Sequence, residues 1–215
     1  MLLFLPIVSL LSIYMAIVYS YLYLLFTTFT AVFENQYKFS TPQAGLAYLG
    51  LGVGFIVGQI GVGAFSDNYL KKKASPSGVF KPEHRLPPLL VATFVIPAGL
   101  LWYGWSAQYH THWLVPIVGT SFIGVGVLFA FLPIQMYLID SYGVYAVSAV
   151  ATNAFLRSLV GAVIPLAGGS LYARLGLGWG NSLLAFIALA FSPLPFLLIR
   201  YGEHLRTHPR FHIIL

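Results

Sequence analysis

Long apolar runs, uninterrupted by charge, organise this chain of 215 residues. Residues 1–33 contain no Asp, Glu, Lys or Arg, nor do 39–66, 86–139 and 175–199, and Arg157 alone interrupts 141–173. A helix rising 1.5 Å per residue needs about 20 apolar residues to cross a bilayer. The run 86–139 therefore holds two crossings, divided at the polar break Ser106-Ala107-Gln108-Tyr109-His110-Thr111-His112-Trp113. The pattern predicts six transmembrane helices, roughly 5–32, 43–66, 87–106, 114–138, 146–170 and 180–200. A membrane barrel would instead alternate apolar and polar positions over about ten residues, and these runs do not alternate. The first run has no basic segment before it and outlasts the apolar core of a secretory signal. It is also longer than a bilayer requires, so it should tilt, kink or project.

Composition narrows the class. Hydrophobic residues make up 59% and charged residues 7% of the chain, against about 25% charged in a soluble domain. The 11 basic and 5 acidic side chains cannot cover a water-facing surface. A soluble enzyme, a disordered tail and a nucleic-acid-binding domain are excluded, and the bilayer is the first partner. The net charge of +6 comes from basic residues at the ends of crossings. With six crossings, Lys71, Lys72, Lys73, Lys81, Arg85, Arg200, Arg206 and Arg210 share one side, and Lys38 and Arg174 the other. That asymmetry puts loop 67–87, tail 201–215 and both termini in the cytoplasm. The same loop, with its Lys71-Lys72-Lys73-Ala74-Ser75-Pro76-Ser77-Gly78 run, reads as a flexible linker and hinge. Trp102, Trp105, Trp113 and Trp179 fall near the opposite face, where an interfacial aromatic belt belongs.

Catalytic constellations are poor. The chain has no Cys, no Gly-x-Ser-x-Gly elbow and no paired acids within a crossing. Pro209 interrupts the alignment of His204, His208 and His212, and no carboxylate flanks His110 or His112. Neither an enzyme nor a metal or other cofactor is expected. Gly50, Gly54 and Gly58, at i, i+4 and i+8, form a stripe on which a neighbouring helix backbone can pack closely. Arg157 is the most expensive residue, about 16 Å into its crossing by helix rise. A central arginine costs at least about 2.5–3.5 kcal/mol on insertion scales, so it must face protein or water. Asn153 lies one turn away on the same face. Two roles remain open for Arg157, a fixed ion pair with Asp140 or a cavity group that meets substrate or gates the inner side. Tyr19 and Tyr23 share a face of the first crossing, and Tyr48 lies on the next. An aromatic cavity of that kind suits flat hydrophobic or cationic compounds.

Family resemblance enters at Gly63-Ala64-Phe65-Ser66-Asp67-Asn68-Tyr69-Leu70-Lys71-Lys72. This segment resembles the loop motif Gly-x-x-x-Asp-Arg-x-Gly-Arg-Arg of the major facilitator superfamily. Gly63, Asp67, Lys71 and Lys72 match, while Asn68 and Leu70 depart from it, as in the weaker echo of the motif between helices eight and nine of that family. Lys81-Pro82-Glu83-His84-Arg85-Leu86-Pro87, Trp102-Tyr103-Gly104-Trp105-Ser106, Phe131-Leu132-Pro133-Ile134-Gln135 and Leu177-Gly178-Trp179-Gly180-Asn181 are similar to the fungal drug:proton antiporter branch.

The resemblance implies that residues 1–215 form the C-terminal six-helix half, a nested 3+3 repeat, of a twelve-helix plasma-membrane exporter. The first six helices would be absent, as in a truncated gene product, and a non-transporting membrane fragment with a structural or regulatory role is the alternative. Expected substrates are small hydrophobic or cationic molecules, met by Tyr19, Tyr23, Tyr48, Gln135, Asn153 and Arg157. Gly63, Asp67, Lys71, Lys72 and Asp140 would form an inner gate, with Asp67 beside a helix N-terminus of the missing half and Lys71 paired to Asp140. All five acids lie at the ends of crossings or in loops. A proton-coupling acid is therefore expected in the missing half, and partnership with that half or with another copy is expected too.

Overall fold

The computed structural model describes residues 6–77 and 82–207, with side chains through residue 69 and from 82 to 202. Among the described residues the structure is helical and contains no strand. Helix α1 spans Pro6–Tyr37. No glycine or further proline interrupts it, and Pro6 suits a first helical turn because its missing N–H has no partner there anyway. It therefore runs past the expected end at residue 32. Lys38, at φ 56°, turns the chain, and the short α2, Thr41–Leu46, follows. The Ser40 N–H donates to Gln43 Oε1 at 3.0 Å at its start.

Helix α3, Tyr48–Ser77, continues eleven residues beyond the expected end at 66. The first half of the expected linker is thus helix. Lys71, Lys72, Lys73 and Ala74 are good helix formers, and no helix breaker intervenes before Pro76. A 3-10 turn at Pro82–Arg85 leads into α4, Leu89–Gln108. Helix α5 spans Leu114–Tyr142 and stops at Gly143, φ 46°.

The last third differs most from the expected crossings. Helix α6 covers Ala146–Val163, where 146–170 was expected, and a 3-10 turn at Ile164–Ala167 succeeds it. Pro165 accounts for the change, because it lacks the N–H and crowds the carbonyl four residues back. Helix α7, Gly168–Ala190, breaks at Gly176, φ 74° and ψ 173°. That left-handed geometry is open to glycine and costly for residues with a Cβ. Beyond it Leu177 and Gly178 donate their N–H groups to Gln108 Oε1 of α4 at 2.8 and 3.2 Å. One glutamine thereby caps the restarted helix. After a turn at Phe191–Ser192, α8 runs over Pro193–Thr207.

Helices α1 and α5 lie at the centre. Helix α5 packs on α3, α4, α6 and α1, while α1 packs on α6, α7 and α8, and α4 packs on α7. Phe29 of α1 meets Tyr103 of α4 edge-on at 5.3 Å, both fully buried. The outer faces are apolar too: Leu49, Val53, Ile56 and Ile60 of α3 and Val147, Phe155, Leu159 and Val163 of α6 are exposed. A continuous apolar exterior on that scale is unstable in water. Four stretches of the described residues are long and apolar enough to cross a membrane: Pro6–Tyr37, Thr41–Tyr69, Pro82–Gln108 and the 89 residues Leu114–Gly202. The chain is an integral membrane protein.

Candidate functional site: a stacked arginine and an aromatic ladder

Helical spacing sets one face from each of three helices at the site. Helix α6 contributes Asn153, Arg157 and Gly161, helix α5 contributes Phe131 and Gln135, and α1 contributes Tyr19, Tyr23 and Phe26. The Arg157 guanidinium carbon sits 4.2 Å from the centre of the Tyr19 ring and 5.2 Å from that of Phe131. Phe131 and Tyr19 are themselves 5.9 Å apart. From Tyr19 a ladder of rings continues to Tyr23 at 6.2 Å, Phe26 at 6.3 Å and Tyr48 at 5.9 Å. Gly161 makes room for it, since a Cβ there would lie 2.8 Å from Tyr23 Cδ2.

Of the two roles open to Arg157, the ion pair with Asp140 is not formed. Asp140 is held by Arg85, whose Nε donates to Asp140 Oδ2 at 3.1 Å and whose Nη1 lies 3.4 Å from Ser66 Oγ. Arg157 instead relies on its two rings. Stacking of a desolvated cation contributes about 2 kcal/mol, less than the cost of the charge at depth. Nη1 is buried and has no hydrogen-bond partner among the described residues. Asn153 is fully buried, and neither its Oδ1 nor its Nδ2 has a partner among them. Each such unmet group costs about 1–3 kcal/mol. Gln135 Oε1 is likewise buried and unpartnered. The site therefore holds several polar groups whose hydrogen bonds are unmet among the described residues.

The remaining expected residues divide among other places. The Tyr48 hydroxyl donates to the Phe26 carbonyl at 3.0 Å and lies 3.3 Å from Thr30 Oγ1. Its proton is committed, and Tyr48 offers the site a ring rather than a donor. Gly50, Gly54 and Gly58 face α5, where a Cβ on Gly50 would meet the Ile117 carbonyl and one on Gly58 would lie 2.9 Å from Leu128 Cβ. Gly63 and Asp67 are exposed on α3, and Asp67 has no partner among the described residues. The Lys71 and Lys72 side chains lie outside the described residues. The expected Lys71–Asp140 pair therefore falls outside the described residues, while Arg85 of the 3-10 turn pairs with Asp140 at the end of α5.

Sequence reasoning missed Arg85 as that partner, and the one signal for it was a basic residue just before a crossing. It also missed a cavity of about 360 Å³ between α1, the Pro165 turn and α7, lined by Thr27, Thr28, Asn35, Gln36 and Tyr172. Polar residues recurring in the last turns of an apolar helix were its trace. Trp105 and Trp179 do come together, 5.7 Å apart, with the Trp105 indole N–H donating to Ser182 Oγ at 3.1 Å.

A profile described as Major Facilitator Superfamily matches residues 2–165. The MFS-type transporter penM of Penicillium rubens is 53% identical over 208 residues, covering 97% of this chain and 41% of the relative. The MFS-type transporter tndD of Aspergillus flavipes is 53% identical over 206 residues, covering 94% and 38%. The MFS-type transporter atr4 of Stereocaulon alpinum is 54% identical over 206 residues, covering 96% and 37%. No solved structure matches the chain. The chain thus spans about two fifths of the length of these curated relatives. With its apolar helical build and a profile match over most of its length, the chain belongs to the major facilitator superfamily.

Proposed function

We propose that this chain is the C-terminal six-helix half of a twelve-helix exporter of the drug:proton antiporter branch, which moves small hydrophobic molecules by alternating access. The reading rests above all on the cluster of Arg157, Tyr19 and Phe131 with the unpartnered Asn153, set where three helices meet. A fold that only needed to pack would not retain a guanidinium and an amide there without hydrogen-bond partners. Six crossings follow if Leu114–Gly202 is divided at Gly143–Tyr145 and at Gly176. The helix pairing supports a 3+3 repeat: α3 against α5 corresponds to α6 against α1, and α4 against α7 maps onto itself. The distribution of basic residues supports a cytoplasmic position for both termini and for the gate of Asp67, Arg85 and Asp140. No acid is expected at depth, so the coupling acid belongs to the other half.

The test is efflux. The chain, co-expressed with the first six helices of one of its 53% identical relatives in a yeast lacking its own exporters, should expel a flat fluorescent apolar compound. Arg157→Leu should reduce that efflux while membrane abundance stays the same. Equal efflux from the variant would refute the role given to the site.

A further inference from the structure

The aromatic ladder alone would take a flat cation as readily as any other flat molecule, because ring faces attract positive charge. The charges around it point the other way. Among the described residues the acids are Glu34 near the end of α1, Asp67 exposed on α3, Glu83 in the 3-10 turn, Asp140 held by Arg85 and Glu203 near the end of α8. Glu34 shares the Tyr19–Tyr23 face of α1 but follows Tyr19 by 15 residues, about 22 Å of helix rise, and Asp140 on α5 is bound by Arg85. Among the described side chains of this chain the site thus carries one positive charge, the Arg157 guanidinium, and no compensating carboxylate.

From this we infer that Arg157 and Asn153 form the head-group site for one negative charge, and that the molecules handled here are flat organic monoanions on an otherwise apolar body. An aromatic carboxylate or the enolate of an acidic enol has that chemistry. The inference rests on the transport reading above and names its substrate class. A guanidinium whose carbon sits over a ring still has N–H groups at its edge for acceptors. Carboxylates bind such an edge in the guanidinium plane, through two parallel hydrogen bonds. Here that edge includes the unpartnered Nη1, and the Asn153 amide, one turn earlier on α6, adds a second unmet donor. The apolar body would lie along Tyr23 and Phe26, each 40% exposed. From Tyr19 to Phe26 the ladder extends about 10 Å by helix rise, the length of two or three fused rings. A single cation selects a single anionic charge, since a second would be buried without a partner.

The experiment compares three probes of one shape: 2-naphthoate, 2-naphthamide and 2-naphthylmethylammonium. The full chain is placed in nanodiscs of phosphatidylcholine, which adds no net surface charge. Binding is read by saturation-transfer NMR, which detects millimolar affinities, with empty discs subtracted. Naphthoate should bind at least tenfold more tightly than the amide, and the ammonium weakest of the three. Arg157→Gln should bring naphthoate down to the amide, while Arg157→Lys should keep only part of the preference. The probe series on the unsubstituted chain needs no variant to fold. Ammonium binding as tight as naphthoate would overturn the inference, as would no naphthoate binding by a chain that melts cooperatively. Efflux of naphthyl compounds by the assembled transporter without charge preference would overturn the inference but leave transport intact. Absence of all efflux would overturn the transport reading, with the binding series still deciding the charge.

Discussion

Two glycines two residues apart on α3 should respond to the same substitution with opposite sign. Gly54 is pressed against α5, and a Cβ there would collide with the Ser121 main chain, 2.9 Å from both its Cα and its carbonyl carbon. Backbone cannot rotate away as a side chain can, so α3 and α5 must separate. Overpacking of this kind costs about 1–3 kcal/mol. The better helix propensity of alanine returns roughly 1 kcal/mol, leaving Gly54→Ala less stable by up to about 2 kcal/mol. Gly52 has nothing within 4 Å of its missing Cβ. Gly52→Ala should therefore keep only the propensity gain, about 0.5–1 kcal/mol. The two variants should differ by the overpacking cost alone, about 1–3 kcal/mol, on the order of ten- to a hundredfold in the folded-to-unfolded ratio. Purified chain in mild detergent, unfolded by heat or by added sodium dodecyl sulfate and followed by tryptophan fluorescence, gives the comparison. If Gly52→Ala loses as much as Gly54→Ala, or Gly54→Ala matches the unsubstituted chain, close α3–α5 contact at Gly54 is not what limits that position.

Three other substitutions probe different contacts. Asn153→Leu, which removes a buried amide without partners among the described residues and keeps its branching at Cγ, should raise stability by about 1–2 kcal/mol while weakening ligand binding; a lower melting temperature would count against the unmet amide. Arg85→Gln and Asp140→Asn, whose side chains are about a quarter exposed, should each cost no more than about 1 kcal/mol. Their double variant should cost less than the sum in a double-mutant cycle, and strict additivity would dissolve the pair. Gln108→Ala leaves the Leu177 and Gly178 N–H groups without their acceptor and should cost about 1–2 kcal/mol, as loss of a helix cap does. Gln108→Glu should recover most of that, because a carboxylate also accepts both bonds and favours a helix N-terminus. Hydrogen exchange at Leu177 and Gly178 would report it, and unchanged protection in Gln108→Ala would contradict the cap.

Reading along the chain was enough for the class of the protein and for the close-packing stripe. Uncharged runs longer than about 20 residues admit one solvent, and Gly50, Gly54 and Gly58 share a face at helical spacing whatever the neighbour is. Local chemistry also foretold that Arg157 must avoid lipid, since the cost belongs to the residue itself. Helix ends were less legible. The chain's own breakers, Pro165 and Gly176, moved the boundaries of the last crossings, and the absence of breakers carried α1 and α3 past theirs.

Partner choice was decided by tertiary structure alone. Asp140 is nearer in sequence to Arg157, yet it is bound by Arg85 from across the polar end of the bundle. Arg157 rests on Tyr19, a residue 138 positions away, and the break at Gly176 is capped by Gln108 from α4. Hydropathy adds along one strip of chain, whereas ion pairs, ring stacking and hydrogen bonds decay over a few ångströms in space. Which groups come within that reach depends on how the helices cross, and no local pattern records it.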